Sequence, residues 1–310
     1  MRVFNSLEEI TKIENTVIAL GNFDGIHLGH QEIIKRTVAD AKSAGCKSAV
    51  FTFANHPRNL LKGKKDVKNI LYMDDKQRII EDLGIDYFFN IPFDEEMMTM
   101  DPVLFITDLL MDKLNMREVL CGFNYRFGYK AKGDVQLLVK ESLVKGFGIH
   151  VLEPFKIDHM VVSSTLIRNY ISDGNMQMAK KLLGRAYSIG GEVVVGNRLG
   201  KSIGFPTSNL NIDEGMVSPP NGVYITECFY NGVLYPSITN VGRKPTIGTY
   251  NKNVETHIFN FDKELYGKQI RVDFLEKLRE EREFESIEAL SKEIMANCIT
   301  AKAYHRTKQK

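Results

Sequence analysis

A change in hydrophobic periodicity near residue 185 constrains this chain more than any single motif does. Before it, apolar runs too short for a helix alternate with helical stretches. Thr16-Val17-Ile18-Ala19-Leu20 is a run of strand length ended by Gly21. From Gly29 to Ala44 the apolar positions Ile33, Ile34, Val38 and Ala41 recur at helical spacing, and Gly45 supplies a stop. Residues 49–53, 87–91, 119–121 and 150–152 repeat the strand pattern, each preceded by a helical stretch. Such alternation predicts an α/β unit with a parallel sheet covered on both faces. Ligands of such sheets sit beyond the carboxyl ends of the strands, so chemistry is expected in the loops after Leu20, Phe53 and Cys121.

After residue 185 the runs become strand-like and are joined by turns: 189–195, 222–230, 233–241, 254–261 and 269–275. Asn231-Gly232 joins two of them, and both positions of that turn type take positive φ, which Asn and Gly tolerate. Tyr266-Gly267-Lys268 is expected to close a second hairpin. Ile287, Leu290, Ile294 and Cys298 then trace one amphipathic helix. This half predicts a small antiparallel barrel or sandwich with a carboxyl-terminal helix. The boundary is expected near the polar stretch 172–175 or just after the helix that follows it, giving domains 1–184 and 185–310.

Composition agrees. A length of 310 residues suits two domains at about 150 residues each. The hydrophobic share of 43% and charged share of 26% are those of ordinary soluble proteins, which excludes disorder and collagen-like repeats. No apolar run approaches the length of about 18 residues that a membrane helix needs, and acids precede any apolar run at the start, so neither a membrane partner nor a secretory signal is expected. With 41 basic against 39 acidic residues, net +2, nucleic acid is not an expected partner. Lys62-Gly63-Lys64-Lys65 and the tail from Lys302 to Lys310 read as solvated surface. Cys46, Cys121, Cys228 and Cys298 lie far apart without a C-x-x-C, which points away from zinc or disulfides and toward the cytoplasm.

The loop after the first strand reads Gly21-Asn22-Phe23-Asp24-Gly25-Ile26-His27-Leu28-Gly29-His30. It lies between a buried strand and a helix amino terminus, where free N–H groups and the helix dipole favour an anion. Its glycine spacing fits neither G-x-G-x-x-G nor the P-loop. His27 and His30 can donate to phosphate oxygens on which charge builds during transfer; metal ligation and a plain surface turn stand as alternatives. Further on, Ser164 and Thr165 offer donors at a predicted helix start, and Arg168 lies one turn beyond.

H-x-G-H at the start of the first helix resembles the nucleotidyltransferase superfamily. The longer run from Gly21 to His30 is similar to the amino-terminal module of the bacterial bifunctional riboflavin kinase/FMN adenylyltransferase family. Phe51-Thr52-Phe53 with His56-Pro57, the segment 122–128 around Asn124 and Arg126, and Val161 to Arg168 resemble further blocks of that module. The resemblance implies a Rossmann-like nucleotidyltransferase domain. ATP would be held by Gly21, Asn22, Phe23, Asp24, Gly25, Ser164, Thr165 and Arg168, FMN by Phe53, His56, Pro57, Asn124 and Arg126, with His27 and His30 serving adenylyl transfer.

In the second half Gly196-Asn197-Arg198-Leu199-Gly200-Lys201-Ser202 has one residue too few for a P-loop, and Pro206 follows where that loop requires a helix. Gly204-Phe205-Pro206-Thr207-Ser208-Asn209 resembles the Gly-x-Pro-Thr-Ala-Asn block of the family's riboflavin kinase module, with serine in place of alanine at 208. Residues 240–246 and Glu255-Thr256-His257-Ile258 resemble two more of its blocks. The resemblance implies ATP binding by Gly196, Gly200, Lys201 and Gly204, Mg²⁺ held with ATP by Thr207 and Asn209, and Glu255 as the base that deprotonates the ribityl hydroxyl. His257 reads as structural.

The resemblance implies ATP-dependent phosphorylation of riboflavin to FMN, then adenylylation of FMN to FAD. The partners are small molecules (riboflavin, FMN, FAD, ATP, ADP and pyrophosphate), with flavins as substrates and products rather than redox cofactors. The chain is expected to be a monomer or a weak homo-oligomer. A nucleotidyltransferase for another phosphorylated acceptor and a flavin-binding protein without turnover are the alternatives.

Overall fold

The computed structural model describes residues 1–60, 67–196, 200, 204–243 and 252–308. The basic cluster 62–65, Lys201, and residues 244–246 lie outside them. Two compact units divide between Ser164 and Thr165.

In the first unit, β1 (Arg2–Phe4), β2 (Thr16–Leu20), β3 (Lys47–Phe53), β4 (Tyr87–Ile91) and β5 (Met116–Gly122) are followed by a short hairpin, β6 (Arg126–Phe127) and β7 (Gly133–Asp134), and then by β8 (Gly148–Leu152). All but the hairpin form one six-stranded sheet in the order β1-β4-β3-β2-β5-β8. Every neighbouring pair in it is parallel. β9 (Lys156–Ile157) and β10 (Met160–Val161) make a separate two-stranded ribbon. The helices are α1 (Leu28–Ala44), α2 (Met73–Asp82), α3 (Glu95–Thr99), α4 (Pro102–Leu104), continued as a π-helical segment over Phe105–Lys113, and α5 (Val135–Lys145).

β2 explains why the opening run carries no polar alternation. Val17 and Ala19 pack with Ile33, Ile34 and Ala41 of α1. Ile18 and Leu20 face the other way, onto Phe51, Phe89, Phe105 and Leu109. A strand buried on both faces needs apolar side chains at every position. α1 stops where the sequence predicts, at Gly45, whose left-handed backbone (φ 63°) carries its N–H to the Ala41 carbonyl. β2 lies between β3 and β5, the strands at which the chain turns to opposite sides of the sheet. The loop after β2 therefore opens at the topological switch point, where parallel sheets bind ligands.

The second unit begins with α6 (Ser164–Ser172), which starts on the last residue of the first, and α7 (Met176–Leu183), which packs on the strands that follow. This contact sets the division between the units earlier in the chain than residue 184. β11 (Tyr187–Glu192), β12 (Ser208–Asn211), β13 (Gly222–Tyr230), β14 (Val233–Arg243), β15 (Lys252–Ile258) and β16 (Gln269–Glu280) form an antiparallel sheet, and α8 (Ile287–Lys308) ends the described chain. The strand order is β11-β16-β13-β14-β15-β12. Val194, just past β11, bridges Asn209 of β12, so the sheet nearly closes into a barrel.

The Asn231-Gly232 turn forms as predicted, with φ of 49° and 82°. The second hairpin does not. Gly267 makes a turn with φ 70°, but β15 pairs with β12 and β14 while β16 pairs with β11 and β13. The chain crosses the barrel there instead of folding back on its neighbour. β12 is a further departure from the sequence reading, which placed no strand between residues 195 and 222.

Candidate active sites

The loop between β2 and α1 is built around inward-facing side chains. Phe23 and Ile26 are fully buried although their backbones lie at φ 46° and 36°. These are left-handed positions that only surrounding packing sustains. Gly25, at φ 81°, sits against Ile70. The buried carboxylate of Asp24 accepts the Ile70 N–H at 2.8 Å, which fixes this loop to the segment before α2.

His27 caps α1: its Nδ1 accepts the His30 N–H at 3.2 Å. With Nδ1 as acceptor, a neutral His27 carries its proton on Nε2. The two imidazoles stack with centroids 3.6 Å apart and planes 17° from parallel. Gly29 makes this possible, because a Cβ there would stand 3.3 Å from the His27 ring and 3.1 Å from Phe155. Ser164 Oγ donates to the Asp24 carbonyl at 2.8 Å. Ser164, the first residue of α6, is thus tied to the loop, and the predicted helix start is present. Thr165 is exposed and Arg168 half-buried, both in the first turns of α6.

The residues nominated for flavin are less uniform. Phe53 is half-buried and meets Phe51 and Phe93 edge to face, at 5.5 and 4.9 Å. His56 Nδ1 accepts the Arg58 N–H, and Pro57 opens a short helical turn. Asn124 and Arg126 are exposed. Arg126 lies 3.6 Å from the Asp134 carboxylate, so any phosphate it binds competes with an ion pair.

One residue of the first site escaped the sequence reading. Lys76 of α2 is only 7% exposed. Its Nζ donates to the Asn22 carbonyl at 2.8 Å and to Thr52 Oγ1 at 3.1 Å. Thr52 Oγ1 donates to the same carbonyl at 3.0 Å. Burial pulls the Lys76 pKa down to about 8 against the pull of Asp24 in the other direction. The signal available in sequence was a lysine one turn before Ile80 on the buried face of α2.

The second site is assembled across strands. Asn209 of β12 stands directly opposite Glu255 of β15. Asn253, on the same face as Glu255 by strand alternation, donates from Nδ2 to Asn209 Oδ1 at 3.1 Å and to Glu255 Oε1 at 3.0 Å. Its own Oδ1 is buried with no hydrogen-bond partner among the described residues. A Cβ on Gly196 would lie 2.5 Å from Asn209 Nδ2, so the backbone at 196 passes directly over that amide. Gly200 is equally tight: a Cβ would reach 2.4 Å from the Phe205 carbonyl, and the Phe205 N–H closes back on Gly200 O at 2.7 Å. Gly204 takes φ 84° in open space. Thr207 is half-buried beside them.

His257 points at the same loop. Its Nδ1 lies 2.8 Å from the Pro206 carbonyl, which can only accept, so Nδ1 carries the proton. Burial lowers its pKa below 6.5, partly opposed by that hydrogen bond. The histidine thus ties the Thr207 loop to β15, the structural role expected of it. Asn253 was missed, and its register opposite β12 is the reason: that strand was not predicted.

Comparison with known proteins gives a separate family match for each half of the chain. The FAD synthetase family matches residues 9–166, and the riboflavin kinase family matches residues 183–305. The chain is therefore a transferase with two nucleotide-dependent domains. The bifunctional riboflavin kinase/FMN adenylyltransferase of Bacillus subtilis is 33% identical over 90% of this chain and 89% of its own. That of Haemophilus influenzae is 31% identical over 98% and 99%, and that of Escherichia coli K12 is 32% identical over 94% and 93%. The chain belongs to the bifunctional riboflavin kinase/FMN adenylyltransferase family, with both of its enzymatic domains. A crystal structure from Streptococcus pneumoniae, described as a macrolide-efflux protein, superimposes with a TM-score of 0.87 at 27% identity, covering 97% of this chain and 98% of that one. Among the described residues here, no helix is long and apolar enough to cross a membrane.

Proposed function

We propose that the two activities are divided between the two sites, with residues 1–184 carrying adenylyl transfer and 185–310 carrying the kinase. At the first site an FMN phosphate oxygen attacks the α-phosphorus of ATP. The bond to the β-phosphate oxygen breaks and pyrophosphate leaves. The observation that carries this reading is the paired use of the His27 and His30 imidazoles at the mouth of α1, with Ser164 tied to the same loop. His27, with its proton on Nε2, donates to phosphate oxygens as charge builds on them. His30, Gly21, Asn22, Phe23, Asp24, Gly25, Thr165 and Arg168 complete the ATP side; Phe53, His56, Pro57, Asn124 and Arg126 form the flavin side.

At the second site Glu255 takes the proton of the ribityl hydroxyl as that oxygen attacks the γ-phosphorus, and ADP leaves. Asn253 orients the carboxylate. Thr207 and Asn209 would hold Mg²⁺ with ATP: the donors gathered here are oxygens, and the buried Asn253 Oδ1, without a hydrogen-bond partner among the described residues, marks a place where a hard cation fits. Mg²⁺, when bound, offsets charge on the triphosphate. Gly196, Gly200 and Gly204 provide close backbone approach to the nucleotide, with Lys201 completing the set.

The ligands are small molecules: riboflavin, FMN, FAD, ATP, ADP and pyrophosphate. Work in the cytoplasm, as a monomer or weak homo-oligomer without nucleic acid or membrane partners, accords with the near-neutral charge and with the four cysteines being free thiols. The test is incubation with riboflavin, ATP and Mg²⁺, followed by chromatographic separation of the flavins. The unaltered chain should yield FAD, and His27→Ala should stop at FMN. FAD formation by a folded His27→Ala chain would remove the first site from this reading.

A further inference from the structure

We propose that Lys76 is a positioning residue for adenylyl transfer: with Thr52 it pins the Asn22 carbonyl inward, and its buried charge offsets that of Asp24 behind the phosphate loop. The inference rests on the reading of residues 21–30 as the adenylyl-transfer site.

The geometry forms a closed triangle. Lys76 Nζ and Thr52 Oγ1 both donate to the Asn22 oxygen, and Lys76 also donates to Thr52. Thr52 is fully buried and hangs from β3, the strand beside β2. Asn22 itself is exposed, yet its carbonyl is turned into the protein. In a trans peptide the C=O and the following N–H point in opposite directions, and no described peptide bond is cis. Drawing the Asn22 oxygen inward therefore directs the Phe23 N–H the other way and removes a partial negative charge from the anion-facing side of the loop.

The second part concerns charge. A phosphate loop that contains a buried carboxylate is at a disadvantage, because Asp24 repels the ligand it must hold. Asp24 is only 7% exposed and is needed to anchor the loop at Ile70. Lys76 is a cation that interacts with it electrostatically. A lysine buried to this degree costs stability unless something compensates, and in the fold alone a methionine of similar length would fill the space more cheaply. Of the other charges on α2, Asp75 and Arg78 pair with each other at 2.7 Å, Glu81 pairs with the amino terminus at 3.3 Å, and Asp74 and Asp82 are exposed. Among the described residues, Asp24 is the charged group whose field acts on Lys76, and Asn22 O and Thr52 Oγ1 are the neutral groups it contacts.

Lys76→Met, Thr52→Val and His27→Ala in the full chain provide the test, with FMN, ATP and Mg²⁺ as substrates and riboflavin phosphorylation by the same samples as a control. Lys76→Met should lower FAD turnover about 10- to 100-fold, the scale of losing a group that orients a ligand-binding one. KM for ATP should rise, KM for FMN should stay constant, and the kinase rate should be unchanged. In the unaltered chain, KM for ATP should rise as pH passes about 8, where Lys76 loses its proton; a purely structural lysine gives no such limb. If Lys76→Met does not fold, Thr52→Val decides, since it removes one donor to Asn22 O at constant shape and should raise KM for ATP severalfold. Normal kcat and KM in the folded Lys76→Met chain, or in Thr52→Val where Lys76→Met fails to fold, overturn the proposal if His27→Ala is inactive. FAD formation by His27→Ala overturns the site reading itself.

Discussion

The two proposed nucleotide sites are built by opposite constructions. The first is nearly contiguous: a stretch of ten residues runs from Gly21 to His30, and its backbone N–H groups, helix start and two imidazoles follow from chain continuity. The second is made by register, since Asn209, Asn253 and Glu255 meet only because β12 and β15 pair antiparallel with Asn209 opposite Glu255. A continuous loop tolerates small displacement of the strands around it. A site made by register does not, because a shift of one residue would send Asn253 and Glu255 to the opposite face of the sheet.

The contrast is sharpest at Glu255. Glu255→Gln keeps the shape and removes the proposed base, so riboflavin kinase turnover should fall by about 10²-fold or more, while FAD formation from supplied FMN stays unchanged. Steady-state assays of both steps on one sample check this. Near-normal kinase turnover would mean that another group accepts the proton.

Asn253→Ala comes next. It leaves Glu255 and Asn209 in place but removes the amide that holds both. A loss of about 10- to 100-fold in kinase activity is expected, with a higher Mg²⁺ requirement. A smaller effect should follow Gly196→Ala, whose new methyl group displaces the Asn209 amide and should raise the Mg²⁺ needed for half-maximal kinase rate about tenfold. If neither variant alters the Mg²⁺ titration, Asn209 is not a ligand and the register argument reduces to one of stability.

The same contrast accounts for what could be read in the sequence. The parallel sheet, α1 with its Gly45 stop, and the Asn231-Gly232 turn are short-range consequences of periodicity and of positive φ, and each is found as expected. The histidines and Ser164 were legible because they belong to contiguous motifs at element ends. Lys76 and Asn253 were not, because each acts through residues far away in the chain: Lys76 on Asn22 and Asn253 on Asn209. The failed hairpin at Gly267 has the same origin. A turn is a local fact, whereas the partner of the strand that leaves it is a property of the whole barrel.

The smallest expected effect separates holding the kinase loop from doing its chemistry. His257 donates Nδ1–H to the Pro206 carbonyl, and burial holds its pKa below 6.5. A depressed histidine pKa means that the folded state binds a proton less readily than the unfolded one. Its contribution is therefore fully present above about 6.5 and is lost as pH falls through the lower folded value. His257→Gln removes this titration while keeping a donor. Samples held in urea between pH 5 and 8 and then assayed for kinase activity at one common pH should show the unaltered chain losing ground, relative to the variant, only below about 6.5. A difference that stays flat across the range would mean that His257 is not a neutral donor in the fold. A large loss of turnover in His257→Gln at neutral pH would move this histidine from the loop's support into its chemistry.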